Sequence, residues 1–130
     1  MNGFSGFLTV NETTRSHLYF LLQVAEKIDE NTPLVVWLQG GPGMPSTYGA
    51  FKEIGTHYVL KTKGRKAKLL LNPNRWSQYA HVLFIDNPVG TGYSFTEDED
   101  GYPTDDEQVA IHLAEALKQV DLPLTALESC

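Results

Sequence analysis

Apolar positions along this chain change their period from one stretch to the next. Gly6-Phe7-Leu8-Thr9-Val10 and His17-Leu18-Tyr19-Phe20-Leu21-Leu22 are aromatic and apolar runs separated by the polar stretch Asn11–Ser16. That arrangement predicts a β-hairpin, although the second run also fits a helix reaching Ile28. Leu34-Val35-Val36-Trp37-Leu38 follows Pro33 as an unbroken apolar segment and stops at Gln39-Gly40-Gly41-Pro42-Gly43. His81-Val82-Leu83-Phe84-Ile85 repeats the design and stops at Asp86-Asn87-Pro88-Val89-Gly90. Continuous apolar runs of this length predict strands covered on both faces. Two of them, each closed by a Gly/Pro loop, predict an α/β sheet with functional loops at strand ends. A helix is predicted from Thr104, where Thr104 and Glu107 have capping-box spacing and Asp105 and Asp106 suit the positive end of the dipole. Val109, Leu113, Ala116, Leu117 and Val120 then mark one apolar face, and Pro123 is the predicted stop.

Composition narrows the function classes. The chain has 130 residues, 42% of them apolar, which suits one globular domain. Sixteen acidic against ten basic residues give −6 at neutral pH, a balance that argues against a nucleic-acid backbone as partner. No apolar run approaches the length of a membrane span. The first residues lack a basic stretch followed by an apolar one, so no secretory signal is visible. The single cysteine, Cys130, excludes a disulfide framework or a multi-cysteine metal site and reads as a free thiol at a frayed end.

The strongest chemical signal is Trp37–Gly43, WLQGGPG. Adjacent glycines let backbone N–H groups approach a ligand, and such donors can stabilise an oxyanion in acyl transfer. The Gln39 amide can additionally hold a carboxylate. A plain tight turn accounts for the same composition. A dinucleotide cradle fits poorly, because Ser46 stands at the third glycine position and Pro42 and Pro45 remove N–H donors. The nearest approach to the Gly-x-Ser-x-Gly nucleophile elbow is Gly92-Tyr93-Ser94-Phe95-Thr96, which lacks the second glycine. His17, His57, His81 and His112 have no metal-ligand spacing, and His81 and His112 read as structural. Asp86 at a strand end suits a triad acid by position and a turn-stabilising aspartate by its Asn-Pro neighbours. Glu97–Asp100 reads as a solvated acidic loop rather than a calcium site.

These residues together resemble the serine carboxypeptidase family, especially its vitellogenic-like branch. The resemblance rests on GFLTVNETT near the start, WLQGGPG at 37–43, GAFKEIG at 49–55, NPNRWSQYAHVLFIDNPVGTGYSF at 72–95 and DDEQVAIHLAEAL at 105–117. It implies an α/β-hydrolase fold and release of C-terminal residues from peptides, without a cofactor or metal. It implies that Gly41 supplies an oxyanion N–H, that Gln39 and Gly40 hold the substrate carboxylate, and that Glu53 supports them from behind. Most members carry asparagine where Gln39 stands, and Met44-Pro45-Ser46 departs from the usual continuation after the glycine loop. The family's Gly-Glu-Ser-Tyr-Ala-Gly elbow and its later Asp and His have no counterpart in these 130 residues. The expectation is therefore a family portion at 1–119, a divergent tail at 120–130, and an incomplete α/β-hydrolase sheet that is inactive alone. The alternative is a non-catalytic carboxylate-binding or regulatory module that pairs with a full-length enzyme through an exposed sheet edge. The family implies a secretory, lysosomal or vacuolar compartment, in which the Asn11-Glu12-Thr13 sequon would be glycosylated.

Overall fold

The computed structural model describes residues 2–41, 43–61, 64 and 66–127, and for residues 121–127 the backbone alone. Cys130 lies outside the described residues. The strands are β1 (Gly3–Asn11), β2 (Ser16–Gln23), β3 (Leu34–Trp37), β4 (His57–Lys61), β5 (Ala67–Leu71) and β6 (His81–Ile85). The α-helices are α1 (Ser46–Lys52) and α2 (Asp106–Leu127). A four-stranded sheet has the order β1-β2-β6-β3, and β4 and β5 form a separate two-stranded ribbon.

The first hairpin forms as its two apolar runs and the polar stretch between them predict. β1 and β2 pair antiparallel with Leu8 opposite Leu18, and a bulge falls between Thr9 and Asn11. Asn11 caps the turn by accepting from the Thr13 and Thr14 N–H groups at 3.0 and 3.3 Å. β2 pairs antiparallel with β6, and β3 pairs parallel with β6. β6 therefore sits between two strands. Its side chains alternate between two cores, since strand residues point to opposite faces in turn. Leu83 and Ile85 join Leu8, Val10, Leu18, Leu22, Ala116 and Val120 beneath α2. Val82 and Phe84 join Leu21 and Ala50 beneath α1, with Trp37 and Phe51 packed alongside. Each large side chain so buried contributes about 1.5–3 kcal/mol against chain entropy.

Four expectations are corrected. β3 was expected to be covered on both faces, yet it is the sheet edge, ends at Trp37, and leaves Val36 38% exposed. Its apolar run matches that of β6, but only one neighbour covers it. The helix cap is shifted by one residue. Asp105 accepts from the Gln108 N–H at 2.8 Å, and Gln108 reaches back to accept from the Thr104 N–H at 3.1 Å. The aspartate outcompetes Thr104 because its carboxylate is the stronger acceptor for an orphan helix donor. α2 also continues through Pro123 to Leu127. The proline removes one N–H, while the helical bonds on either side of it persist. Leu117 leaves the expected apolar face and is exposed, and buried His112 takes a place on it.

The short helix α1 and the strands of the β4–β5 ribbon were not predicted. A buried polar junction anchors the ribbon's start. Gln23, at the end of β2, accepts from the Thr56 N–H at 2.8 Å, and the Thr56 and Ser77 hydroxyls meet at 3.0 Å. Asn72 donates to the Glu53 and Gly55 carbonyls at 2.9 and 3.0 Å, closing the ribbon's other end.

Candidate functional site

The glycine loop leaves β3 at the C-terminal end of the sheet's parallel pair, beside the start of the loop that leaves β6. The strand-end geometry expected for a binding crevice is thus present. Gln39 is fixed from three sides. Its N–H donates to the Ser46 hydroxyl at 3.0 Å, its Oε1 accepts from Trp37 Nε1 at 2.9 Å, and its Nε2 donates to Glu53 Oε1 at 3.4 Å. Sequence positions 39 and 53, expected to act together, are therefore in contact. Gly40 and Gly41 are exposed, and nothing lies within 4 Å of where a Cβ on Gly40 would project. Gly41 is tightly turned, since a Cβ there would meet the Gly43 N at 2.9 Å.

α1 holds this loop against the sheet. It begins directly after Pro45, whose fixed φ of −72° suits a helix start, so the departure at Met44-Pro45-Ser46 serves as an initiation signal. Gly49 on α1 faces the Trp37–Gln39 bond. A Cβ at this position would stand 2.5 Å from Trp37 Nε1 and 2.9 Å from Gln39 Oε1. Only a glycine lets the helix approach this closely.

Asp86 binds the two strand-end loops together. It is fully buried; Oδ1 accepts from the Thr47 N–H at 2.9 Å and Oδ2 from the Tyr93 N–H at 3.1 Å. Thr47 is in the first turn of α1, where partial positive charge favours a carboxylate. Of the two roles open to Asp86 from sequence, the bonds to Thr47 and Tyr93 are those of a loop-stabilising residue. Gly92, at φ +58°, makes room for it, because a Cβ there would meet Asp86 Oδ2 at 2.2 Å. Ser94 is buried and also structural: its hydroxyl donates to the Asp86 carbonyl and accepts from the Tyr19 N–H at 2.8 Å. The sequence signalled Asp86 as a triad acid or a turn residue, and Gly92 and Ser94 as an incomplete nucleophile elbow.

The two histidines read as structural are buried, and burial pushes both below the usual histidine range. His81 Nδ1 accepts from the Ala25 N–H at 3.2 Å, which requires the neutral ring. Among the described residues no cluster of three or more potential ligands could hold a metal ion. An open groove of about 530 Å³ is lined by Val35, Arg75, Trp76 and Tyr79 and by none of the glycine-loop residues. At the far hairpin turn, the bonds that fix Asn11 use its carbonyl oxygen rather than the amide nitrogen a glycan would occupy.

A mixed sheet with a helix on each face and glycine-rich loops at its strand ends defines the α/β class. Solved structures bear this out. The chain is similar to Kex1(Δ)p, a prohormone-processing carboxypeptidase from Saccharomyces cerevisiae, with a TM-score of 0.73 and 30% identity over 89% of this chain and 26% of that one. The fold is accordingly part of an α/β-hydrolase-type domain. The serine carboxypeptidase family profile matches residues 1–120, and the chain belongs to that family. It is 40% identical over 119 residues to the vitellogenic carboxypeptidase of Aedes aegypti, covering 92% of this chain and 24% of the relative. It is 43% identical to the venom serine carboxypeptidase of Apis mellifera, covering 92% and 25%, and 42% identical to the probable serine carboxypeptidase CPVL of Homo sapiens, covering 92% and 24%. The chain spans about a quarter of the length of the curated relatives it matches.

Proposed function

We propose that this chain supplies the substrate-carboxylate site and one oxyanion donor of a serine-type carboxypeptidase that releases C-terminal residues from peptides. Gln39 Nε2 and the Gly40 N–H hold the terminal carboxylate, and the Gly41 N–H faces the reacting carbonyl oxygen. Glu53 orients the Gln39 amide. The observation that carries this reading is the fixed Gln39 side chain, bonded to both Trp37 and Glu53, beside two exposed glycines. Pre-set donors of this kind recognise an anion without reorganising on binding. Acyl transfer further requires a nucleophile with its base and orienting acid, and oxyanion donors alone leave only residual rate. This segment alone is therefore expected to bind and not to turn over.

Titration of the chain with N-acetyl-phenylalanine and with its amide tests the reading. The free carboxylate should shift the Gln39, Gly40 and Gly41 amide resonances and the amide should not. Equal shifts from both ligands would overturn it. In a longer enzyme carrying this segment and a nucleophile elbow, Gln39→Ala should lower peptide hydrolysis more than hydrolysis of esters lacking a free carboxylate. One lost charge-assisted hydrogen bond corresponds to about ten- to hundredfold in kcat/KM. We also propose a secretory or lysosomal location with a glycan on Asn11. Glycosidase treatment of secreted material should then lower its mass.

A further inference from the structure

Charge is segregated along this chain. Between Ile54 and Ile85 there is no Asp or Glu, while six of the ten basic residues lie there: Lys61, Lys63, Arg65, Lys66, Lys68 and Arg75. Arg75 is paired with Glu26. The other five fall within residues 61–68, at the ends of β4 and β5 and in the sequence that joins them. The rest of the chain holds four basic residues against all sixteen acidic ones. The ribbon is also apolar where it is exposed. Leu69 and Leu71, 63% and 54% exposed, share one face of β5, and Leu60 and Leu70 lie exposed on the other. Lys61 and Lys68 are exposed too, and Lys68 stands opposite Leu60 in the register.

We propose that the β4–β5 ribbon docks this protein on an anionic phospholipid surface. Lysines flanking exposed leucines match such a surface twice over. Their ammonium groups meet the lipid phosphates and carboxylates, and the leucines enter the boundary between headgroups and acyl chains. A soluble polyanion would use the lysines and leave the leucines in water. The body of the molecule, with its large acidic excess, is repelled by the same surface. Since that repulsion is screened beyond about 8 Å at physiological salt, an exposed basic element docks first and orients the rest. The ribbon is tied to the body at its base, through Lys52 Nζ donating to the Val59 carbonyl at 2.7 Å and through the Asn72 bonds to Glu53 and Gly55. Docking therefore holds the neighbouring glycine loop at a fixed orientation to the membrane. This proposal does not depend on the carboxylate site.

Co-sedimentation of the full chain with vesicles tests it. Binding should appear with equal parts phosphatidylserine and phosphatidylcholine, be absent with phosphatidylcholine alone, and weaken as salt rises. The Lys61→Glu/Lys68→Glu variant should partition at least about tenfold less. Leu69→Ser/Leu71→Ser should also release the chain from vesicles while leaving its retention on heparin unchanged. Tryptophan fluorescence, reporting the Trp37–Trp76 edge contact, verifies that both variants keep the sheet. Vesicle binding indifferent to the leucines would identify a polyanion site and overturn the proposal. So would binding without phosphatidylserine, or a salt-sensitive dimer that forms in place of vesicle binding.

Discussion

β3 and β6 are written in the same alphabet and live in different surroundings. Each is a short apolar strand closed by a Gly/Pro loop, and the two pair parallel with Val36 opposite Leu83. In β6, residues 82–85 are wholly inaccessible, whereas β3 is half-exposed and leaves Val36 open to solvent. β6 has β2 on one side, β3 on the other and a helix across each face; β3 has one neighbouring strand. An apolar run therefore reports what a strand can bury. How much it does bury depends on how many partners the topology gives it.

The loops after these strands differ as well. The β6 loop is closed around buried Asp86, and the β3 loop leaves Gly40 and Gly41 exposed. Both loops leave the same end of the parallel pair, one tied by the bonds to Asp86 and the other with its glycines exposed to solvent. A tied loop beside an open one is a sound basis for a binding site, because donors held by one strand end can face a space left by the other.

The largest test of this contrast is a pair of truncations. Phe84→Ala should lower unfolding free energy by about 3–5 kcal/mol, since the emptied site is enclosed on all sides. Val36→Ala on β3 should lower it by less than about 1 kcal/mol, in line with exposed positions. Equal losses in urea titrations would dissolve the distinction between the strands. Asp86→Ala comes next. Two backbone N–H groups lose their acceptor in a buried site, which corresponds to about 2–4 kcal/mol. Amide exchange should then accelerate at both Thr47 and Tyr93, and protection persisting at either would argue against the tie.

Gly49→Ala probes the β3 side alone. The new methyl group must displace α1 or Trp37, so about 1–3 kcal/mol is expected, with a change in tryptophan fluorescence. An unchanged spectrum would mean that the loop does not depend on this contact. The smallest expected effect is that of pH. His81 opens β6 and His112 lines the face of α2, and both are held below the ordinary histidine range by burial. A lowered folded-state value means that the unfolded chain takes up the proton first. Their contribution is therefore complete above about pH 6.5 and declines as pH falls toward the folded values. The Glu26 carboxyl, held low by the Arg75 hydrogen bond, adds a loss of the same sign at lower pH, below the ordinary carboxylate range. Thermal unfolding midpoints should thus fall between neutral pH and pH 5, and His81→Asn should flatten that slope. A midpoint that rises on acidification would contradict the lowering of both rings by burial.

Much of this was legible in the chain itself. The hairpin followed from two aromatic and apolar runs, at 6–10 and 17–22, separated by the polar stretch 11–16. The β6 run and the loops at 39–43 and 86–90 followed from apolar continuity interrupted by glycine and proline. Gln39 and Glu53 were named together from family resemblance, and they proved to be in contact at 3.4 Å. The helix cap was displaced by one residue, because Thr104 and Asp105 are both competent caps and the choice depends on which reaches the donor at Gln108. The short helix α1 and the β4–β5 ribbon left no periodic trace: seven residues give too few turns to show a face, and the ribbon has no single buried side.

The sequence by itself determined that the first two runs pair as a hairpin, that the β3 and β6 runs stop at their Gly/Pro loops, and which family the pattern resembles. Those properties are local: side-chain period, backbone restriction by proline, and the N–H groups that glycines leave open. Tertiary structure alone decided that β6 is central and β3 is an edge, that Asp86 joins two loops instead of serving as a triad acid, and that Gly49 is indispensable beside Trp37. Each of these depends on contacts between residues far apart in the chain, 39 positions in the case of Thr47 and Asp86. A linear pattern can present the acceptor and the donor, but only the packed sheet brings them within a hydrogen bond of each other.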